Sequence, residues 1–362
     1  MTETIASNEL NQLGTRDGMA RFDAPRPGIT STRIAGKQAA ADTGTLGDRG
    51  AGRISPEPAC RGCYGLAMND ALPIVLPLLA AMIYVVGALL AKRSAELGVG
   101  IWRTAFVSNF VSATLFALLL PFGGTLHADL LWQPALVAVF YLLGQLLNFL
   151  ALQHGDVSVA TPVMGLKIIL VAVFTTVLLT SGVSQKLWIA AGLSSLAIML
   201  LNRTDSTPHH HVGRTILYAG SSAAMFALFD VLVQKWSPAW GLGRFLPVML
   251  GFTALFSVAF VPFFHAPLHT VPSAAWRWLL GGCGFIGLQS VIFVSGIAHF
   301  GNAATANVIY SSRGLWSVVA VWAIGHWFSN REQHLPPSVL RWRLAGAALM
   351  MAAIALVLGA RK

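Results

Sequence analysis

Charged side chains are scarce in this sequence. Asp, Glu, Lys and Arg make up 10% of the 362 residues, whereas soluble domains carry about a quarter. Hydrophobic residues reach 55%, and the mean hydropathy is +0.66. This balance excludes an ordinary soluble protein and indicates a membrane protein.

Cysteine is also rare. Cys60, Cys63 and Cys283 are too few for a disulfide framework, and Cys60–Cys63 has no second pair to complete a zinc site. The histidines 209–211 are adjacent and cannot all face one ion on a regular element, so a solvated loop is the preferred interpretation. The sequence has no GxSxG, HExxH or phosphate-binding loop. We therefore expect no enzyme, no metal and no cofactor.

The net charge of +10 does not indicate nucleic-acid binding. Residues 1–67 hold eight basic and seven acidic residues, and the basic excess of the remaining chain lies mostly at the ends of apolar runs. Basic helix ends are normal in membrane proteins. Because no basic cluster is interleaved with aromatic residues, we expect a lipid bilayer and a small molecule as partners, and no nucleic acid.

Long apolar runs recur along the chain after residue 70. A membrane-spanning helix needs about 20 apolar residues, and backbone groups in lipid must be satisfied within the segment, which favours helices. The sequence predicts an all-α, polytopic membrane protein with ten transmembrane helices. The predicted spans are 72–90, 102–120, 131–152, 157–179, 186–201, 214–234, 245–264, 276–299, 303–325 and 341–359.

Residues 1–67 have a different composition, rich in Gly, Pro, Ser, Thr and Ala with charges of both signs. They lack the apolar core of a signal peptide and predict a disordered N-terminal tail. Met68 stands just before the first span, and we hypothesise that the functional protein begins there. Native N-terminal peptides from residues 1–60, found by mass spectrometry, would contradict this hypothesis.

The rest of the chain divides into two similar halves, 68–201 and 214–362, joined by a polar linker at 202–213. GDVSVATPVMGLKIILVAVF at 155 aligns without a gap with GNAATANVIYSSRGLWSVVA at 301, which places Lys167 over Arg313. A second gapless block aligns 87–100 with 230–243. Because five spans is an odd number, the second copy enters the membrane from the opposite side. Two inverted five-helix repeats are typical of secondary transporters, which bind substrate near the midplane between the repeats.

Two cations interrupt the apolar runs at these aligned positions. Lys167 and Arg313 lie near the centres of the fourth and ninth spans, where a charge costs about 2.5–3.5 kcal/mol on insertion scales. The interface is ~15 Å away along the helix, beyond a side chain's reach. Both cations should therefore face a polar interior, where they bind an anionic substrate group or, alternatively, pair structurally with Asp230 or helix-end carbonyls.

Helical spacing extends this candidate site. Tyr310, Arg313 and Ser317 share one face of the ninth span, with Asn307 at its edge, and Thr161 corresponds to Asn307 in the fourth span. An arginine beside a tyrosine suits a carboxylate or phosphate on a planar group. Tyr310 also has an alternative role as an interhelical hydrogen-bonding residue.

Asp230 is the one acidic residue well inside a predicted span. An apolar setting favours the protonated, neutral form of a carboxyl group, so Asp230 is a candidate proton carrier. The alternative, which we prefer slightly, is a counter-ion for Lys167, Arg313 or Lys235.

With these features, residues 70–360 resemble the drug/metabolite transporter superfamily, in particular EamA-type transporters. The resemblance rests on the turns HGDVSVATPV and FGNAATANVI and on the glycine-bearing final helices LWIAAGLSSLAIMLL and RWRLAGAALMMAAIALVL. The family's frequent Glu-Pro is replaced by Lys167-Ile168 and Arg313-Gly314. Locally, GLKIILVAVFTTVLL and QKLWIAAGL are similar to nucleotide-sugar transporters, which also carry a lysine there. The resemblance implies alternating access by two inverted halves.

These observations predict a secondary transporter of a small organic metabolite with an anionic group, with a coupling proton as an open question. The alternatives are an efflux carrier for amino acids or drugs, in which Lys167 and Arg313 are structurally paired, and a non-transporting membrane protein. The family implies the plasma (cell inner) membrane with cytoplasmic termini. This orientation places five basic residues inside and nine outside, against the usual excess of positive charge in cytoplasmic loops.

Overall fold

The structure is a computed structural model that describes residues 61–154, 157–179, 182–201, 212–324 and 337–359. All of them lie in one compact unit, residues 59–362. Most of the predicted tail and linker, with histidines 209–211 and Cys60, lies outside the described residues. The first helix begins at Arg61, seven residues inside the segment predicted as a tail.

Twelve α-helices are described. They are α1 (Arg61–Glu96), α2 (Ile101–Ala117), α3 (Trp132–His154), α4 (Val157–Met164), α5 (Lys167–Leu179), α6 (Gln185–Leu201), α7 (Val212–Trp240), α8 (Leu242–Phe256), α9 (Ser273–Phe300), α10 (Ala303–Tyr310), α11 (Arg313–Ile324) and α12 (Pro337–Gly359). Short 3₁₀ turns at Leu120–Phe122, Ala128–Leu130, Ser257–Phe263 and Leu268–Thr270 extend or connect them. The described residues contain no strand.

The prediction of an all-α membrane protein is confirmed. Within the described residues, eight segments are long and apolar enough to cross a membrane, and Gln185–Leu201 is a shorter apolar helix. The predicted span 303–325 is divided into α10 and α11. The count of ten spans depends on these last two segments and stays a prediction.

The fourth and ninth predicted spans are both interrupted, and at aligned positions. Gly165 and Leu166 separate α4 from α5, and Ser311 and Ser312 separate α10 from α11. At each break the backbone uses i→i−3 hydrogen bonds, such as Gly165 N–H to Pro162 O and Ser312 N–H to Ile309 O. Such 3₁₀ tightening in the middle of a helix often marks a functional hinge. From the sequence, both spans are predicted as continuous helices without these breaks.

The helices alternate between two ends of the bundle, which we call face 1 and face 2. At face 1, the α2–α3 connection meets the end of α7, where Thr125 N–H donates to Trp240 O at 2.9 Å. At face 2, the start of α2 meets the α8–α9 connection, where Arg103 Nη1 donates to Thr270 Oγ1 at 3.4 Å.

The first helices of the two halves run in opposite directions. α1 lies antiparallel to α9, because Gly296 lies near Leu76 and Gly282 near Ala91. The membrane part of α1 therefore runs from face 1 to face 2, whereas α7 runs from face 2 to face 1. This is the relation that an inverted repeat requires.

Packing between the helices follows the same symmetry. The first helix of each half packs against the third of the other, as α1 with α9 and α7 with α3. The second helices pair as α2 with α8, and the fifth as α6 with α12. The same set of contacts is obtained when the two halves are exchanged. The interrupted spans α4–α5 and α10–α11 line the space between the halves.

Candidate functional site

A central cavity of about 390 Å³ lies between the two halves. Seven of its lining side chains are aromatic and three are charged. The lining residues are Tyr84, Ser112, Phe116, Tyr141, Asn148, Ala160, Thr161, Met164 and Lys167 from the first half, and Phe226, Phe229, Asp230, Leu250, Ile286, Gln289, Ser290, Phe293, Val294, Tyr310 and Arg313 from the second.

Lys167 is the first residue of α5, directly after the break in the fourth span. Its Nζ lies 2.8 Å from Asp230 Oδ2 on α7. Two rings flank the ammonium group, because Nζ lies 5.9 Å from the centroids of both Phe226 and Phe293. The ion pair and the rings together compensate a charge that would otherwise be costly inside the membrane.

Asp230 is 1% exposed and shares one oxygen between two donors. Besides Lys167, Asn307 Nδ2 donates to Asp230 Oδ2 at 2.7 Å. The same Asn307 amide donates to Ala303 O at 2.9 Å within α10. Asp230 thus joins α5, α7 and α10, and it forms an ion pair with Lys167.

Arg313 occupies the equivalent position in the second half, as the first residue of α11. Its Cζ lies 4.9 Å from the ring centroids of both Tyr84 and Tyr310. Nη1 donates to the Tyr310 hydroxyl at 3.4 Å. Among the described residues, no carboxylate oxygen lies within 4.0 Å of this guanidinium, and its nearest partners are the two rings and the Tyr310 hydroxyl.

Tyr310 connects Arg313 to the third helix of its half. Its hydroxyl donates to Gln289 Oε1 at 3.0 Å, and its ring packs 4.4 Å from the Phe293 ring. Because the hydroxyl is both donor to Gln289 and acceptor from Arg313, it fixes the position of the arginine relative to α9. Tyr310 therefore forms an interhelical hydrogen bond with Gln289 and also lines the cavity.

The remaining predicted residues have different surroundings. Thr161 lines the cavity, whereas Asn307 is buried behind Asp230. Ser317 is exposed, and its hydroxyl donates to Gly314 O at 2.7 Å, so it lies outside the cavity. Gln145 of α3 pairs with Asn109 of α2 through two amide hydrogen bonds, and it joins these helices instead of lining the cavity.

Sequence reasoning missed Tyr84 and Phe293, which both line the cavity. Each is an aromatic residue within an apolar helix, a pattern that carries no local signal of a site. For Tyr84, the one available indication was a phenolic hydroxyl in the middle of the first span.

Metal binding has no candidate in the part of the chain that the structure describes, because no three His, Cys, Asp or Glu side chains are grouped there. Cys283, on α9, is buried and free. The side chains that line the cavity offer ion pairing, hydrogen bonding and ring contact.

Comparison with known proteins gives one family and one fold. Residues 71–203 match the model of the EamA-like transporter family. A solved crystal structure of a protein superimposes with a TM-score of 0.62 at 16% sequence identity, covering 78% of this chain and 95% of that one. At this identity the likeness concerns the fold alone. Curated proteins give no match to the sequence, and the local similarity to nucleotide-sugar transporters stays a prediction.

Proposed function

We propose that the chain is a secondary transporter whose substrate is a small organic molecule with one anionic group. The match of residues 71–203 to the EamA-like transporter family supports a membrane transporter of the drug/metabolite type. The substrate binds in the central cavity, and alternating access by the two halves carries it across the membrane.

The observation that carries this proposal is the difference between the two cations. Lys167 is neutralised by Asp230 at 2.8 Å, whereas Arg313 has aromatic partners and no carboxylate within 4.0 Å among the described residues. The charged lining residues are Lys167, Asp230 and Arg313, so the lining carries one unit of positive charge. A bound carboxylate or phosphate monoanion would balance it through the bidentate hydrogen bonds that a guanidinium favours.

The shape of the substrate is indicated by the other lining residues. Aromatic rings from both halves surround the charged groups, and polar groups such as Thr161 and Asn148 are few. A cavity of about 390 Å³ with mostly apolar walls and a few placed polar groups is typical of a small-molecule site. A planar or apolar body with a single acidic group fits this lining.

A second candidate, efflux of amino acids or drugs, is favoured by the Lys167–Asp230 ion pair, because a neutralised lysine need not contact the substrate. In that case Arg313 is also structural, and Arg313→Gln should lower expression and melting temperature without changing ligand preference. A coupling proton remains part of the proposal, with Asp230 as the carboxylate that lines the cavity.

The test is a thermal-shift screen of the purified protein with matched ligands. Benzoate and phenyl phosphate represent anions, with benzamide as the neutral partner and benzylamine as the cationic one, within a wider panel of carboxylates and phosphate monoesters. We expect anions to stabilise the wild type and Arg313→Gln to weaken their binding roughly 10- to 150-fold, the range for hydrogen bonds to a charged group. Arg277→Gln, which removes an exposed arginine of α9, is the control.

Equal anion binding by Arg313→Gln and the wild type would refute the proposed anion site. Transport itself is measured in liposomes reconstituted with the protein. The absence of flux for every compound of the panel would argue for a non-transporting membrane protein.

A further inference from the structure

Tyr84 lies against Arg313 from the opposite half of the chain. Its ring centroid is 4.9 Å from Arg313 Cζ, the same distance as that of Tyr310. The two tyrosine rings meet edge to face at a centroid distance of 6.2 Å. The guanidinium therefore contacts one ring from α1 and one from α10.

This arrangement restricts the guanidinium without using up its hydrogen-bond donors. A guanidinium has five N–H donors, and among the described residues its one acceptor is the Tyr310 hydroxyl. Contact with aromatic faces stabilises the cation electrostatically and orients its plane. The remaining N–H groups stay available to a ligand in the cavity that Tyr84 and Arg313 both line.

We propose that Tyr84 is a positioning residue for anion binding by Arg313, acting through the face of its ring. The proposal rests on the proposed function, because it assumes an anion at Arg313. It also gives α1, and hence the first half of the chain, a direct part in a site whose cation comes from the second half.

The test compares Tyr84→Phe, which keeps the ring, with Tyr84→Leu, which removes it. The affinities for the tightest-binding carboxylate of the panel and for its neutral amide are measured for each variant. We expect Tyr84→Leu to lower carboxylate affinity roughly 3- to 30-fold, as for loss of a desolvated cation–π contact, with amide affinity unchanged and Tyr84→Phe close to wild type. Tyr218→Leu, a tyrosine of α7 outside the cavity, is the control. Tyr84→Met serves as a second non-aromatic variant if Tyr84→Leu does not fold.

Wild-type carboxylate affinity in a non-aromatic variant, or equal losses in Tyr84→Phe and Tyr84→Leu, would overturn the role of the ring. Equal losses for carboxylate and amide would indicate a purely structural role and would also overturn it. If the wild type binds no anion at all, the proposed function itself is refuted. This outcome is distinguishable from a refutation of the role of Tyr84 alone.

A separate observation concerns a second cavity, of about 870 Å³, which lies at face 1. We call it the vestibule. Its lining includes Thr175, Ser184, Gln234, Lys235, Asn302 and Thr305, of which Ser184, Lys235 and Asn302 are exposed. It shares no lining residue with the central cavity.

The barrier between the two cavities is thin. Asp230 lines the central cavity and Gln234 the vestibule, and they are one turn apart on α7, ~6 Å along the helix. On α5, the fully buried Val171 lies between Lys167 of the central cavity and Thr175 of the vestibule.

Side-chain hydrogen bonds from α7 hold α10 in this barrier. Gln234 Oε1 accepts from the Ala303 N–H at 2.9 Å, and Gln234 Nε2 donates to Gly301 O. One turn away, Asn307 donates to Asp230. α10 has only 8 residues, between Gly301, whose φ is +64°, and the break at Ser311–Ser312. It is therefore a short element with a turn at each end, as a hinged body requires.

We infer that α10 is a gate on the face 1 side, which Gln234 holds closed. Movement of α10 away from α7 would break the Gln234 and Asn307 bonds and join the vestibule to the central cavity. Because Asp230 is both the acceptor of Asn307 and the counter-ion of Lys167, the gate and the binding site share one carboxylate.

The test is thiol labelling at the barrier. Val171→Cys, in a background without the native cysteines, is labelled from each side of proteoliposomes with a membrane-impermeant maleimide. We expect Val171→Cys alone to be labelled slowly. When Gln234→Met is added, the rate of labelling from face 1 should rise roughly fivefold or more, because a net hydrogen bond is worth about 1 kcal/mol. Thr305→Val, another vestibule substitution on α10, should leave the rate unchanged, and Gln234→Ala serves as a second gate variant.

Fast labelling of Val171→Cys alone, an unchanged rate in the Gln234 variants, or equal acceleration by Thr305→Val would each overturn the gate. Labelling needs no transported substrate. The gate can therefore be refuted whether or not the central cavity binds an anion.

Discussion

Lys167 and Arg313 occupy aligned positions in the two halves but have different partners. Each is the first residue after a break in its span, and each would be costly if it faced lipid. Lys167 is paired with Asp230, whereas Arg313 lies between the rings of Tyr84 and Tyr310. At aligned positions, one cation is therefore paired with a carboxylate and the other is in contact with rings, which is the difference on which the proposed anion site rests.

The Lys167–Asp230 pair gives a prediction at this scale. Asp230→Asn leaves the ammonium without its counter-ion, and loss of one partner of a buried pair costs about 3–5 kcal/mol. Since Lys167 is 19% exposed and reaches the cavity, we expect the lower end of this range. The double variant Lys167→Gln/Asp230→Asn should recover most of the loss, because no unpaired charge remains.

The measurement is the apparent melting temperature in detergent for the wild type, both single variants and the double variant. Asp129→Asn, at an exposed position of the α2–α3 connection, is the control. If the decreases in melting temperature of the two single variants simply add in the double variant, the two residues are not energetically coupled. The prediction that the ion pair stabilises the protein is then wrong.

Among the elements, the interrupted spans contribute residues to the site on both sides of their breaks. Helical spacing predicts Tyr310, Arg313 and Ser317 on one face of a straight helix. In the structure, Tyr310 and Arg313 lie on the two sides of the break at Ser311–Ser312 and both line the cavity, whereas Ser317 is exposed. Local periodicity predicts that these residues are helical, but it does not reveal a break whose backbone hydrogen bonds continue through it.

Close packing of α1 against α9 gives a prediction at the element scale. A Cβ at Gly282 would lie 2.8 Å from the Ala91 backbone nitrogen, whereas a Cβ at Gly284 would meet nothing within 4 Å. Gly282→Ala should therefore force the helices apart and cost about 1–3 kcal/mol, as overpacking does. Gly284→Ala, on the same helix, should be tolerated.

Melting temperatures of the two variants, compared with the wild type, check this prediction. A similar fall for both would indicate a general effect of alanine in α9. No fall for Gly282→Ala would mean that α1 and α9 are not held at the distance described.

In the whole molecule, the halves meet through exchanged contacts and opposite directions. α1 pairs with α9 and α7 with α3, and the membrane parts of α1 and α7 begin at opposite faces. Of the basic residues near the helix ends, Lys186, Lys235 and Arg244 lie towards face 1, and Lys92, Arg93, Arg214, Arg277, Arg341 and Arg343 towards face 2. Arg103, also near face 2, is buried with its guanidinium on Gly98 O, so it contributes little to the surface charge.

Orientation in the membrane is tested with two single cysteines in a cysteine-free background. Leu126→Cys, in the exposed α2–α3 connection at face 1, and His265→Cys, between α8 and α9 at face 2, should react with an impermeant maleimide from opposite sides. The family topology expects Leu126 on the cytoplasmic side. Labelling of both positions from one side would contradict the alternation of the helices between two faces.

The sequence by itself determined the class of protein and the places of its unusual charges. Apolar runs of sufficient length require helices in lipid, and Lys167, Asp230 and Arg313 stand out within those runs because ionised groups are expensive there. Only the tertiary structure decided which cation Asp230 neutralises, that Tyr84 contacts Arg313, and that a second cavity approaches Asp230 from face 1. These are contacts between residues far apart in the chain, which depend on how helices pack and where they break and not on any local pattern.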